Sequence, residues 1–291
     1  MSTFDACTLQ TCSLDLAYIQ YLPSIAGNAF YLTLFSILLL AQVILLVHYR
    51  AWAFSATMIC GLILEVLGYA GRVKLHYNPF GFTNFLLYLV CLTIAPAFFG
   101  AAIYLCLGRI IIIQEGENIS RIKPRTYTII FVTCDVISLI LQAAGGAITS
   151  SAEDDVVRNE GINIMIAGLA FQVAAMGIFM AFGIDFTIRS NIRSPPVHTG
   201  YPIQNFSTSG QVESGGIPTA TITIFIRSFF RVFELNGGFE SSLANNEPVL
   251  MVLDGAMVSI GCLWLTILHP GVAIGRRWNT VKSRSRQYEL N

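Results

Sequence analysis

The chain has 291 residues, 54% of them hydrophobic and only 12% charged, with a mean hydropathy of +0.65. A soluble domain carries about a quarter charged residues, so this composition excludes one water-surrounded core and points to an integral membrane protein. The formal net charge is zero, which leaves no basic field for a nucleic-acid partner.

Residues 1–25 are polar and contain no Lys or Arg. They lack the positive flank of a cleaved signal peptide and read as an extracellular segment, with the first membrane helix as its own insertion signal. A bilayer core of about 30 Å needs roughly 20 apolar residues per helix. Seven stretches qualify, approximately 26–47, 52–71, 82–107, 127–149, 162–186, 218–236 and 248–268. The predicted fold is therefore an all-α bundle of seven transmembrane helices within a membrane domain 26–271. Pro23, Pro79, Pro124, Pro218 and Pro248 stand just ahead of five of the spans, where proline suits a helix start. Pro96 falls inside span three, where it is expected to bend the helix and free a carbonyl. The stretch 190–217, with SPP, GYP and SGG, reads as a flexible linker. The run at 150–161 reads as a solvated acidic loop, and 272–291 as a basic tail.

Twelve Lys and Arg residues fall on the side that holds 48–51, 108–126, 187–217 and the tail. Only Arg72, Lys74 and Arg158 fall on the other. The positive-inside rule then places the amino terminus outside and the carboxyl terminus in the cytosol. Cys7 and Cys12 are thereby in the oxidising compartment, where they can form a small disulfide. The sequons at Asn118 and Asn205 fall in the cytosol and stay unmodified. The other five cysteines lie in apolar segments as small hydrophobes, and no spacing of Cys and His suggests a metal.

Ionisable side chains at bilayer depth carry the functional expectation. Glu65, Asp135, Arg227, Arg231, Glu234 and Asp254 fall in the middle and outer membrane, with Gln142 and Gln172 as polar neighbours suited to a cavity. In RSFFRVFE, spacings of four and three put Arg227, Arg231 and Glu234 on one helix face. The economical arrangement has the charges converging inside the bundle. Four carboxylates then face two guanidiniums, a surplus relieved by protonation or by a bound cation such as the amine of an amphiphile. The competing reading is that Arg–carboxylate pairs only fix helix packing. Asp185 and His269 lie near the interface and read as structural.

The strings YLPSIAGNAFYLTLF (21–35), EVLGYAGR (65–72), APAFFGAAIYLCLGRII (95–111), FVTCDVISLILQAAGG (131–146), GLAFQ (168–172), RSFFRVFE (227–234) and HPG (269–271) resemble the fungal RTA-like, or lipid-translocating exporter, family. The resemblance implies a seven-helix protein of the plasma membrane or endomembranes, linked to tolerance of sphingoid bases, sterol-like amines and azoles, and in some members to porphyrin or haem movement. It brings no catalytic residues and no resident cofactor. Its recurrent polar positions fall on Glu65, Tyr69, Arg72, Asp135, Gln142, Gln172, Arg227, Arg231, Glu234, Asp254 and His269. This chain has Gln42 where the family commonly has a histidine, which removes a contact to any haem iron. Cys134 replaces a usual glycine, and Leu235 a frequent tyrosine.

Three functional classes follow. The first is an exporter of amphiphilic, cationic lipids whose partners are membrane lipids. The second is a seven-helix receptor or stress sensor, which the absence of a cysteine in 150–161 and of an NPxxY-like end to span seven argues against. The third is an intramembrane hydrolase, disfavoured because His48, His76, His198 and His269 are scattered along the chain.

Overall fold

The computed structural model describes residues 21–113, 124–152, 154–193, 206–236 and 247–269. They form seven helical rods: α1 (Ile25–Tyr49), α2 (Trp52–Tyr77), α3 (Phe82–Ile113), α4 (Pro124–Ser151), α5 (Asp155–Arg193), α6 (Phe206–Asn236) and α7 (Glu247–Ile267). Six carry a stretch long and apolar enough to cross a membrane; the exception is α6, which bears the RSFFRVFE charges. The fold is an all-helical seven-helix bundle.

Local chemistry sets the turns. Ser24 caps α1 by accepting from the Gly27 N–H. Arg50 ends α1 in the left-handed region, at φ 56°, and its N–H returns to the Leu46 carbonyl. Only Ala51 then precedes α2, so the first two helices form a tight hairpin. Asn78 caps the next turn by accepting from the Phe80 N–H at 3.2 Å, and α3 starts at Phe82.

The bundle buries polar side chains among an apolar core that includes Phe35, Phe54, Met58, Leu62 and Phe99, and its outer surface is apolar as well. Asn28, Gln42, Ser55, Glu65, Arg72, Asp135, Arg227 and Arg231 are all buried, while Phe30, Ile37, Leu40, Ile44 and Val47 on α1 are exposed. Charged side chains buried beneath an exposed apolar surface are the arrangement that a lipid surround favours. Helix α3 lies at the centre, touching α2, α4, α6 and α7, and α7 also packs on α1.

Several boundaries differ from the sequence expectation. Helix α6 begins at Phe206, so Pro218 lies inside it rather than at its start. Helix α5 continues to Arg193, which makes both ends of the expected linker helical; 194–205 lies outside the described residues, as do Cys7, Cys12, both sequons and the tail. The acidic run is largely the first turns of α5, and only 152–154 connect it to α4. Arg72, placed by sequence in an outer loop, is instead buried in α2.

Contacts identify the two ends. At one, the Ser24 N–H donates to Glu247 Oε1 at 2.5 Å, and His76 Nδ1 lies 2.7 Å from the Pro23 carbonyl. At the other, His269 Nε2 lies 3.0 Å from Ser55 Oγ, with the Phe54 and Tyr49 rings against the imidazole. Burial lowers the His269 imidazole from its ordinary 6.5 to about 4. Its neutral form is therefore the folded form. Stability is full above pH 6.5 and is lost as pH falls through about 4. Melting scans of detergent-solubilised protein should show this acid-side loss, and His269→Gln should reduce it.

Helices α4 and α5 meet through glycine. A Cβ built on Gly145 would stand 2.6 Å from the Gly161 carbonyl and 2.7 Å from the Met165 nitrogen, both backbone atoms. Neighbouring Gly146 meets only the Met165 sulfur, at 3.8 Å. Gly145→Ala is expected to cost about 1–3 kcal/mol by overpacking, whereas Gly146→Ala is expected to be neutral or slightly stabilising. Thermal melting of the two variants side by side checks the contrast.

Candidate functional site

Pro96 has no N–H to bond the Leu92 carbonyl one turn before it in α3. Arg227, reaching across from α6, donates Nη2 to that carbonyl at 2.5 Å. The same Nη2 lies 2.8 Å from Asp254 Oδ1 on α7. One turn further along α6, Arg231 donates Nη1 to Glu234 Oε2 at 2.5 Å and places Nη2 3.4 Å from Thr93 Oγ1. The proline thus exposes an acceptor at the depth where a guanidinium needs one.

Asp254 is delivered by a helical irregularity. Residues Met251–Ala256 form a π-helical turn within α7, a feature that concentrates at functional sites. Tyr31 of α1 donates its hydroxyl to the Met251 carbonyl at 2.8 Å. Its ring lies so close to Gly255 that a Cβ there would fall 2.5 Å from ring carbons. Glycine at 255 is what lets α1 and α7 meet.

Helix α2 supplies the opposite wall. Glu65, Tyr69 and Arg72 share one face and are each at most 2% exposed. Glu65 is within electrostatic reach of Arg227, Asp254 and Arg231, with the Cys91 and Cys262 thiols alongside. It forms no ion pair among the described residues, and its Oε1 has no hydrogen-bond partner. Arg72 donates Nη2 to the Tyr21 hydroxyl at 2.9 Å and stands 5.0 Å from the Tyr88 ring centroid. Arg231 approaches the same ring at 6.0 Å. Burial pushes the Tyr21 phenol above its usual range, so it meets Arg72 as a neutral acceptor. Tyr69 lies between the two charges, its ring 5.3 Å from Tyr31 and 5.5 Å from Phe35.

The structure therefore brings Glu65, Arg227, Arg231, Glu234 and Asp254 together and adds Arg72, which the family resemblance included but the span boundaries left outside the membrane. The signal for Arg72 was its register: it lies three and seven residues beyond Tyr69 and Glu65 on one helix face. Its inclusion reduces the intramembrane carboxylate surplus from two to one, and because Asp135 lies apart, the cluster itself sets three carboxylates against three guanidiniums. The remaining predicted residues lie elsewhere. Gln142 donates to Gln172 Oε1 at 3.0 Å and to Ser138 Oγ at 2.8 Å, while Ser138 donates to the Gly168 carbonyl at 2.9 Å. This is a polar seam between α4 and α5. Asp135 is buried beside Tyr104, away from the arginines. Gln42 donates to Thr266 Oγ1 at 3.0 Å, joining α1 to α7. Asp185 pairs with Arg189 at 3.0 Å. Among the described residues no three His, Cys, Asp or Glu side chains are grouped to hold a metal ion.

Removing one member of a buried pair leaves the other uncompensated, at a cost of about 3 kcal/mol or more. Arg227→Met alone should destabilise the protein by that order, because Asp254 and the Leu92 carbonyl both lose their donor. Adding Asp254→Leu should recover part of the loss. A double-mutant cycle on melting temperature measures the coupling.

A family model described as "RTA1 like protein" matches residues 58–277. The chain is 33% identical to the sphingoid long-chain base transporter RSB1 of Saccharomyces cerevisiae, over 89% of this chain and 75% of that protein. It is 26% identical to Protein RTA1 of the same yeast, over 88% and 86%. To Protoporphyrin uptake protein 1 it is 30% identical, over 67% and 61%. No solved structure matches. The described helices, the intramembrane charges and these matches agree: the chain belongs to the RTA1-like family of membrane proteins.

Proposed function

We propose that this protein moves amphiphilic lipid amines of the sphingoid long-chain base class across a fungal plasma membrane, and that the ammonium headgroup meets Glu65. One observation carries the reading. Asp254 and Glu234 each have a guanidinium, whereas Glu65 is as deeply buried and has none. A primary ammonium supplies the direct ion-pair partner that Glu65 lacks, with three donors. The paired arginines hold the surrounding carboxylates in place, and the apolar helix faces accommodate the alkyl chain. The sphingoid-base transporter among the relatives supports this lipid class.

The charge distribution supports an outside amino terminus. With Arg72 inside the bundle, the outer side retains only Lys74 and Arg158 against twelve basic residues opposite. The end marked by Ser24, His76 and Glu247 then faces outward, and the cluster lies in the outer half of the membrane.

A second reading, an anionic tetrapyrrole cargo, rests on Arg72, a buried guanidinium that forms no ion pair among the described residues. Propionates would seek Arg72, whereas an amine seeks Glu65. Glu65→Gln keeps the side-chain shape and should lower efflux of a labelled sphingoid base from cells by roughly 10-fold or more at equal protein level, the scale of one charge-assisted hydrogen bond. An N-acetylated base, which carries no charge, should not compete. Undiminished efflux in Glu65→Gln together with loss in Arg72→Gln would overturn the amine assignment.

A further inference from the structure

Asp135 takes no part in the headgroup cluster, yet it is 4% exposed and neither of its carboxylate oxygens has a hydrogen-bond partner of good geometry. The polar group beside it is the Tyr104 hydroxyl from α3. Around the pair the walls are aromatic: the Tyr104 ring lies 4.5 Å from Phe179 of α5 and 5.6 Å from Phe131 of α4, and these two phenylalanines are 5.3 Å apart. Gly100, one turn before Tyr104, leaves the space between the oxygens open. A Cβ there would lie 3.4 Å from the Tyr104 hydroxyl and 3.5 Å from Asp135 Oδ2, ordinary contact distances, so a group of that size fits between them.

The titratable group that faces Asp135 is Tyr104 from α3, which the Cys134 thiol of α4 also approaches. From α5 the packed side is Phe179, and one level along the bundle Gln172 is already bonded to Gln142 and Ser138. Among the described residues no Lys, Arg or His acts on this carboxylate. A buried carboxylate ion with no counterion and a single phenol as donor is strongly disfavoured in such surroundings. A protonated carboxyl is not, because it can donate to the phenol oxygen or to a small polar molecule at Gly100. Every other buried carboxylate named above lies among guanidiniums; this one is built to hold a proton.

We propose that Asp135, Tyr104 and the opening at Gly100 form a proton-binding site distinct from the lipid headgroup site, and that gain and loss of this proton are coupled to lipid movement. The coupling half rests on the transport reading above; the proton site does not. One O–H bond on Asp135 breaks when the proton leaves to water as hydronium, and re-forms by proton transfer from hydronium on the other side of the cycle. The ionised state requires the surroundings of Asp135 to become wet or to acquire a cation, which links it to a change in the packing of α4 on α3.

The test uses full-length protein in lipid nanodiscs, titrated from mildly acidic to alkaline pH while the carboxyl C=O stretch is followed by infrared spectroscopy. A protonated-carboxyl component is expected at neutral pH; Asp135→Asn should abolish it, and Tyr104→Phe and Gly100→Ala should each shift it. If Asp135→Asn fails to fold, the other two variants still decide. A neutral-pH spectrum unaffected by all folded variants would overturn the proton site. In proteoliposomes loaded with a radiolabelled sphingoid base, an imposed pH gradient should stimulate transport by the wild type and lose that effect in Asp135→Asn. Wild-type transport indifferent to the gradient would overturn the coupling. Absence of any sphingoid-base transport would instead overturn the transport reading, leaving the infrared result to judge the proton site.

Discussion

One donor–acceptor contact ties the centre of the bundle together: the Arg227 guanidinium on the carbonyl of Leu92. Neither partner is comfortable in lipid alone. The carbonyl is orphaned by Pro96, and the guanidinium carries a charge into a medium that solvates charges poorly. Together they convert two local penalties into a crosslink between α3 and α6, and Asp254 extends it to α7. Arg231 repeats the pattern with Thr93 and Glu234. In a bilayer, where apolar faces gain little by leaving lipid for one another, such contacts and close backbone approach must position the helices.

The bundle uses those two devices in different places. Between α4 and α5 the backbones meet at Gly145 and Gly161, and a Ser–Gln–Gln seam runs beside them. Around α3, α6 and α7 the connections are ionic. Gln142 and Gln172 bond one another across the helices as structural glue, with the Gln142 Oε1 left unused, whereas Glu65 and Asp135 form no ion pair among the described residues. Polar residues that look alike in a hydropathy profile therefore divide into satisfied and unsatisfied ones, and chemistry is to be sought among the latter.

The helices were legible because a lipid-facing helix advertises itself by composition over some twenty residues. Most of the charge cluster was legible too, because ionisable residues at that depth are conspicuous. Legibility failed where the answer depends on which helix faces which. Arg72 was left outside the membrane by a boundary one residue too short, although its spacing from Glu65 and Tyr69 marked the buried face. The linker was overextended because Gly, Ser and Pro in 206–218 outweighed helix signals that tertiary packing evidently favours. Asp135 was grouped with the arginines on depth alone; depth is one coordinate, and its bearing around the bundle axis is set by packing that no single helix encodes. The π-helical turn had no signal in the sequence beyond Gly255.

That turn imposes an unusual kind of constraint. A helix that spends one extra residue in a single wide turn is offset in angle, beyond that point, from a regular helix of the same composition. Each residue advances an α-helix by about 100°, and the wider turn advances less per residue, so Met251–Ala256 absorb one extra residue while Ser259 and Cys262 beyond it keep the interior face that Asp254 shares. Loss of one residue here would leave the two halves of α7 in register but remove the wide turn that presents Asp254. Its residue count is a structural parameter in its own right, as firmly held by the Tyr31 ring and the Arg227 pair as any side chain they touch.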